Sequence, residues 1–306
     1  MKLSETKKAY LFDLFDTLTD FESEWSSIPS ASSMLGVDSK RWNEQLLLYS
    51  ADRLTGKLRD SFRIIRDMAH NIDPSIPDEV IQEVVTRRTN RYMDALLNIP
   101  VENIETIRTL HRQGKKIALL SNADVMECLG WDQSPLKSFF DLAAFSCETG
   151  FVKPDPQAYL YCMQKLGVQP EDCVFVGDGG SNELAGAQNL GITTVFISGK
   201  MRLKQPDFVT SRILQSDFHM QSCNDCMHLG YHCCSLILKE HSHIYHFRQS
   251  LFLKYVAYSL VRLVQILLNV MILQMSVPYS SNHKQYLFGR HLLLLSDFLR
   301  LSLVHK

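Results

Sequence analysis

The 306-residue chain lacks a charge bias: 32 basic and 33 acidic residues leave a formal net charge of −1. Such a balance supplies no general field for a nucleic-acid backbone or an acidic bilayer, so no nucleic-acid partner is expected. The chain also lacks the apolar core of a signal peptide, since Met1 to Lys8 is polar, and a cytoplasmic location is expected. Its eight cysteines show no disulfide framework in the body: Cys128, Cys147, Cys162 and Cys173 stand singly, as reduced, packed thiols do. Charge itself becomes scarce after about residue 210. The last 96 residues hold nine of the 11 histidines and four of the eight cysteines, but only 13 of the 65 charged residues. A body is therefore followed by a compositionally distinct tail.

What the body does contain is a series of buried-strand runs that each end in polar residues. Ala9 to Leu14 is aromatic and aliphatic around Asp13, with the length and composition of a central parallel strand covered on both faces. An ionised Asp13 at the mouth of such a strand needs a cation nearby, because an unpaired buried carboxylate costs several kcal/mol. Lys116 to Leu120 is a second such run, ending at Ser121 and Asn122. Asp141 to Ser146 reads as a third short strand, Cys173 to Val176 as a fourth, followed by Gly177-Asp178-Gly179-Gly180, and Thr193 to Ile197 as a fifth. Helices are expected between them: Ile104, Ile107 and Leu110 mark one that stops at Gly114, Pro156 to Leu166 another that stops at Gly167, and Asn182 to Leu190 a third. This alternation predicts an α/β fold with a parallel sheet and right-handed crossovers.

One stretch breaks the alternation. Between Phe21 and about Asn98 the pattern is helical throughout: Arg41 to Lys57 with Trp42, Leu46, Leu47, Tyr49 and Leu54; a second face of Phe62, Ile64, Ile65 and Met68; and a third helix opened by Pro77-Asp78-Glu79 and carrying Val80, Val84, Met93, Leu96 and Leu97. A helical subdomain inserted after the first strand accounts for it.

Parallel strands present their carboxyl ends on one edge, so Asp13 and Thr17, Ser121 and Asn122, Lys153, and Asp178 with Glu183 converge on a single pocket. A carboxylate nucleophile, a hydroxyl donor, an ammonium and an acidic cluster form a set suited to phosphoryl transfer. In order and spacing these residues resemble the haloacid dehalogenase-like superfamily. Asp13 with Thr17 and Leu18 is similar to its first motif, Ser121 to the second, Lys153 before Pro154 to the third, and Gly177 to Glu183, with Gly186, Ala187 and Gly191, to the fourth.

The resemblance implies a Rossmannoid catalytic core from residues 8–18 and 99–215, a mobile helical cap over 19–98, and leaves 216–306 unassigned. It implies that Asp13 attacks a small phosphorylated substrate to give an aspartyl intermediate. Ser121 and Lys153 would hold the transferring group, with Thr17 and Asn122 beside the substrate. Mg²⁺ would be bound by Asp13, the backbone carbonyl of Phe15, Asp178 and Glu183. Trp25, Arg53, Lys57, Arg59 and Arg63 are candidate substrate contacts within the cap.

Phe15 departs from the pattern. Phosphatases of the family carry a second Asp there, which protonates the leaving group; phenylalanine cannot, and general acid–base assistance is typically worth a factor of about 10²–10⁴. Dehalogenases of the family carry an aromatic residue at this position, which keeps a 2-haloacid dehalogenase open as an alternative, together with a binding or regulatory protein of weakened turnover. Retention of Asp178 and Glu183 favours a metal and a phosphorylated substrate.

In the tail, Pro206 to Val209 resembles the last strand of the family domain. Cys223, Cys226, His228, His232, Cys233 and Cys234 offer irregularly spaced zinc ligands. Tyr255 to Val277 is long enough to span a bilayer but carries Arg262 near its middle, at a cost of about 2.5–3.5 kcal/mol. Contact of the tail with a membrane stays open on that account.

Overall fold

A computed structural model describes residues 6–20, 26–199 and 206–223. Its centre is a six-stranded parallel sheet in the order β3-β2-β1-β4-β5-β6. The strands are β1 (Ala9–Phe12), β2 (Lys116–Ser121), β3 (Leu142–Phe145), β4 (Cys173–Gly177), β5 (Thr193–Ile197) and β6 (Phe218–Met220). β1 lies between β2 and β4, with Leu11 level with Ala118 on one side and Phe175 on the other. Every residue of β1 is buried. That explains its unbroken apolar run, since both faces of a central parallel strand are covered.

Six helices separate β1 from β2 among the described residues, and the first five of them form the insert: α1 (Ala31–Leu35), α2 (Ser39–Leu48), α3 (Ser50–Leu54), α4 (Ser61–Ile72) and α5 (Asp78–Leu97). Local signals set their starts. Asp38 and Asp60 accept hydrogen bonds from Arg41 N and Arg63 N, capping α2 and α4. Asp78 and Glu79 occupy the first turn of α5, after Pro77. The helices enclose an apolar cluster of their own, built on Trp42, Ile64, Ile65, Met68, Ile81 and Val84. After α6 (Val101–Arg112), the remaining helices among the described residues are α7 (Ser146–Thr149), α8 (Pro156–Leu166), α9 (Glu183–Gln188) and α10 (Pro206–Ile213). α8 is capped by Asp155 and closed by left-handed Gly167.

The structure corrects the sequence reading at several points. The helix expected over Arg41 to Lys57 is two, because Tyr49 leaves helical geometry (φ −90°, ψ 4°) and joins α2 to α3. Leu47 is 75% exposed and Leu97 41% exposed, so neither belongs to the buried face; Ile81 and Val85 take that place on α5. Pro206 to Val209 opens helix α10 rather than forming a strand. A proline and Asp207 in a first turn are better suited to a helix start than to a sheet. The last strand comes later, at β6, so the sheet runs past the expected limit of 215. Asp217 fixes this strand by accepting hydrogen bonds from Thr194 N at 2.8 Å and Thr194 Oγ1 at 3.0 Å.

No helix among the described residues is long and apolar enough to cross a membrane. The Tyr255 to Val277 stretch and the zinc candidates from Cys226 onward lie outside those residues. Cys223 lies within them and is buried, its thiol donating to Thr17 O at 3.3 Å.

Ile65 is fully buried in the helical cluster. Ile65→Ala is expected to lower the unfolding free energy by about 2–5 kcal/mol. Leu47→Ala, at an exposed position, is expected to change it by less than about 0.5 kcal/mol. Urea titrations of the two variants check the contrast.

Candidate active site

The polar residues that end the strands meet at one edge of the sheet. Asp13 directly follows β1 and is tied to the next strand by its own N–H, which donates to Val176 O at 2.9 Å. The chain then turns sharply. Leu18 N and Thr19 N both donate to Leu14 O, Asp16 N donates to Thr19 Oγ1, and Asp16 takes a left-handed φ of 58°. Among residues other than glycine, Asp and Asn tolerate that conformation best. The turn brings Thr17 back over Asp13, and Thr17 Oγ1 donates to Asp13 Oδ2 at 3.0 Å.

Lys153 supplies the cation that a buried Asp13 requires. Its Nζ lies 2.5 Å from Asp13 Oδ1 and 2.6 Å from Glu183 Oε2, and all three side chains are buried. Asn122 holds Lys153 by its backbone: the amide donates to Lys153 O at 2.9 Å and accepts from Lys153 N at 2.8 Å. Thr17 and Asn122 were expected beside the substrate. In the structure the Thr17 hydroxyl donates to Asp13 and the Asn122 amide bonds the Lys153 backbone at both ends, which places both residues at the strand-end cluster.

Glu183 is fixed from three directions. Gly179 N donates to its Oε1 at 3.1 Å, Lys153 reaches its Oε2, and Tyr159 donates to its backbone carbonyl at 2.7 Å. Gly177 makes the approach possible, because a Cβ there would stand 2.1 Å from Glu183 Oε1. Asp178 accepts from Gly180 N at 2.9 Å.

Asp13, Asp178 and Glu183 bring a carboxylate oxygen each to within 4.8 Å of one another. Burial, and then the charge of Asp13, raises the Asp178 carboxyl to about 6. The same two causes hold Glu183 well above the usual carboxylate range. Burial alone would depress the Lys153 ammonium, but Asp13 and Glu183 reverse this and keep it charged above its ordinary value. Three carboxylates crowded around one ammonium carry surplus negative charge. Hard oxygen donors of this kind fit a Mg²⁺ ion, which binds carboxylate oxygens and completes its octahedral shell with other oxygens. Ser121, at the end of β2, is 1% exposed, and its Oγ has no hydrogen-bond partner among the described residues. A buried hydroxyl in that state suits an oxygen-rich ligand, since leaving it unpaired costs about 1–3 kcal/mol.

Phe15 sits half-buried at the rim, its ring edge-to-face with Tyr92 of α5 at 5.3 Å between centroids. The candidate contacts of the insert fall elsewhere. Arg53 is buried in ion pairs with Asp124 (3.2 Å) and Glu127 (3.7 Å), which Arg88 shares at 3.3 and 2.6 Å. Arg59 donates to Cys147 O, Arg63 pairs with Asp67 on its own helix, and Lys57 is exposed; Trp25 lies outside the described residues. This four-charge network was not anticipated, because Arg88, Asp124 and Glu127 sit in stretches whose pattern reads as ordinary helix surface or loop.

Carboxylates and an ammonium gathered at the carboxyl edge of a parallel sheet fit the site of an α/β hydrolase. The profile of the haloacid dehalogenase-like hydrolases matches residues 7–191, and the chain belongs to that family. Pyrophosphatase PpaX of Bacillus cereus (strain AH820) is 28% identical over 167 residues, covering 51% of this chain and 77% of the relative. N-acylneuraminate-9-phosphatase of Homo sapiens is 28% identical over 242 residues, covering 72% of this chain and 95% of the relative. A crystal structure of a dehalogenase superposes with a TM-score of 0.54 at 22% identity, over 72% of this chain and 96% of that one, which shows the shared fold.

The raised Asp178 carboxyl has a signed consequence for stability. The folded state binds a proton there up to a pH of about 6, whereas the unfolded side chain releases it near 3.8. The stabilisation is therefore present below the lower value and is lost as pH rises between the two. In EDTA, wild type is expected to lose stability relative to Asp178→Asn as pH rises from about 4 to about 6. Paired urea titrations across that range would expose a flat difference if Asp178 were unperturbed.

Proposed function

We propose that this hydrolase is a Mg²⁺-assisted phosphohydrolase acting on a small phosphorylated metabolite through an aspartyl-phosphate on Asp13. The observation that carries the reading is the cluster of Asp13, Asp178 and Glu183 around the strand ends. A dehalogenase displacing halide from carbon has no use for such a cation site. The names of the Bacillus and human relatives, a pyrophosphatase and a phosphatase, support the same class.

In this reading Asp13 Oδ attacks phosphorus, forming the aspartyl–phosphorus bond as the bond to the leaving oxygen breaks. Lys153 and the unpartnered Ser121 hydroxyl hold the oxygens of the transferring group as their charge rearranges. Mg²⁺, held by Asp13, Asp178, Glu183 and the Phe15 carbonyl, would neutralise charge between phosphoryl oxygens and carboxylates. Water then attacks the aspartyl-phosphate, releasing phosphate and restoring Asp13. Residues 19–98 act as a cap that brings Tyr92 against Phe15 beside the reacting centre, and residues 8–18 and 99–215, extended through β6, form the core.

Phe15 shapes the substrate. With no carboxyl at this position to protonate the departing oxygen, turnover depends on how well that oxygen carries charge alone. Phosphoanhydrides and acyl phosphates, which expel a stabilised anion, suit this site better than simple alkyl phosphates, which expel an alkoxide. The aromatic pair of Phe15 and Tyr92 is the one observation that favours a dehalogenase, and a direct assay separates the two readings. Phosphate release by the full chain is expected to require Mg²⁺, to stop in EDTA, and to vanish in Asp13→Asn with the fold intact by circular dichroism. Metal-independent halide release from 2-haloacids, with no phosphate release, would reverse the choice. Phe15→Asp is expected to raise kcat for alkyl phosphates, by up to about 10²–10⁴-fold, and to leave anhydrides nearly unchanged.

A further inference from the structure

Two cysteines outside the strand-end cluster face each other. Cys128 closes the loop that follows Ser121 and Asn122, and Cys147 lies in α7 directly after β3; their sulfurs are 3.8 Å apart. Cys147 is buried, and Cys128 is partly exposed and forms the solvent side of the pair. The Cys128 S–H can donate to Val125 O at 3.7 Å or to Cys147 Sγ.

The surroundings make the two thiols unequal. The hydrogen bond from Cys128, and secondarily the charge of Arg59, hold the Cys147 thiol below its ordinary range despite burial. The same hydrogen bond, with burial, holds the Cys128 thiol well above it. Across the 3.8 Å contact either sulfur can be the donor, so one thiol can hydrogen-bond to a thiolate on the other. Burial pushes Cys162 and Cys173 up to about 12, as for inert core thiols.

We propose that Cys128 and Cys147 form an oxidisable dithiol site, closed to an internal disulfide by hydrogen peroxide and reopened by a small-molecule dithiol. In the first step the Cys147 thiolate attacks one peroxide oxygen. The O–O bond breaks, hydroxide leaves and takes a proton from solvent to become water, and Cys147 becomes a sulfenic acid. In the second step Cys128 sulfur attacks Cys147 Sγ. The S–O bond breaks, and the departing hydroxide takes the Cys128 proton as a second water. The two sulfurs lose two electrons in total and the peroxide gains them.

Closure has a direct route to the strand-end site. The sulfurs must move from 3.8 Å to a bonded separation of about 2.05 Å. Cys147 N donates to Ala123 O, and Ser146 Oγ accepts from Ala123 N, so α7 is already fastened to the residue after Asn122. Pulling Cys128 inward shifts the same loop at Asp124 and Glu127, which hold Arg53 and Arg88 of the insert. Oxidation is therefore expected to lower turnover, a consequence that rests on the phosphohydrolase reading.

The test treats the full chain with a slight excess of hydrogen peroxide, alkylates remaining thiols, and maps peptides by mass before and after dithiothreitol. A Cys128–Cys147 cross-linked peptide, two mass units lighter than its reduced parts and lost on reduction, is the expected result. In Cys128→Ser, dimedone is expected to label Cys147. Both cysteines remaining alkylatable after peroxide, stable sulfinic acid on either, or a bond from either to a third cysteine would overturn the proposal. Phosphate release measured on the same samples should fall at least twofold and recover with dithiothreitol. Unchanged release with the bond formed would overturn the coupling, whereas a reduced protein with no phosphatase activity would count against the phosphohydrolase reading and leave the mass result to decide the dithiol.

Discussion

The bridge from Lys153 to Asp13 and Glu183 is the constraint on which the site depends. A carboxylate at the end of a fully buried strand is tolerable only beside a cation, and the ammonium that satisfies Asp13 also draws Glu183 in from the first turn of α9. Much of the neighbouring geometry serves that contact. Asn122 clamps the lysine backbone, Gly177 leaves room for Glu183, and Tyr159 anchors the start of α9. These residues come from three strand ends, the loop before α8, and helices α8 and α9, so the sheet has to be assembled before these contacts can form.

A second charged network joins the helical insert to the loop behind Ser121. Arg53 and Arg88 face Asp124 and Glu127 with almost no exposure, and the two carboxylates respond differently. Burial and the neighbouring Glu127 raise Asp124, whereas the two arginines hold Glu127 down against its own burial. Removing one member leaves an uncompensated buried charge, which typically costs about 3–5 kcal/mol. The insert is thus attached by charge at one point and by the aromatic contact of Phe15 with Tyr92 at another.

How much of this was legible in the sequence follows from where each signal comes. Strands buried on both faces are written as unbroken apolar runs, and the polar residue that ends each run is the one delivered to the sheet edge. That is why Asp13, Ser121 and Asp178 could be read directly. Lys153 and Glu183 lie off those runs and became recognisable through the family pattern. Three features escaped for physical reasons. Arg53 and Arg88 look like helix surface because burial of a charge depends on a partner distant in sequence. Pro206 to Val209 is short and apolar, so strand and helix patterns coincide there until the first-turn chemistry decides. The amide of Asn122 and the hydroxyl of Thr17 carry no mark of whether they face a ligand or a neighbouring residue.

The strand order also bears on how the chain is made. β1 is synthesised first, yet it sits in the middle of the sheet, and the Ala9 position pairs with Lys116 on one side and Cys173 on the other. At a ribosomal rate of about 5–20 residues per second, the second of those partners emerges on the order of ten to thirty seconds after the first strand. Until β2 is made Tyr10, Leu11 and Phe12 have no strand to pair with, and the edge of β1 that will face β4 stays unpaired until Cys173 follows. An apolar strand with an open edge is a template for pairing with other chains, so the central position of β1 exposes that segment longest during synthesis.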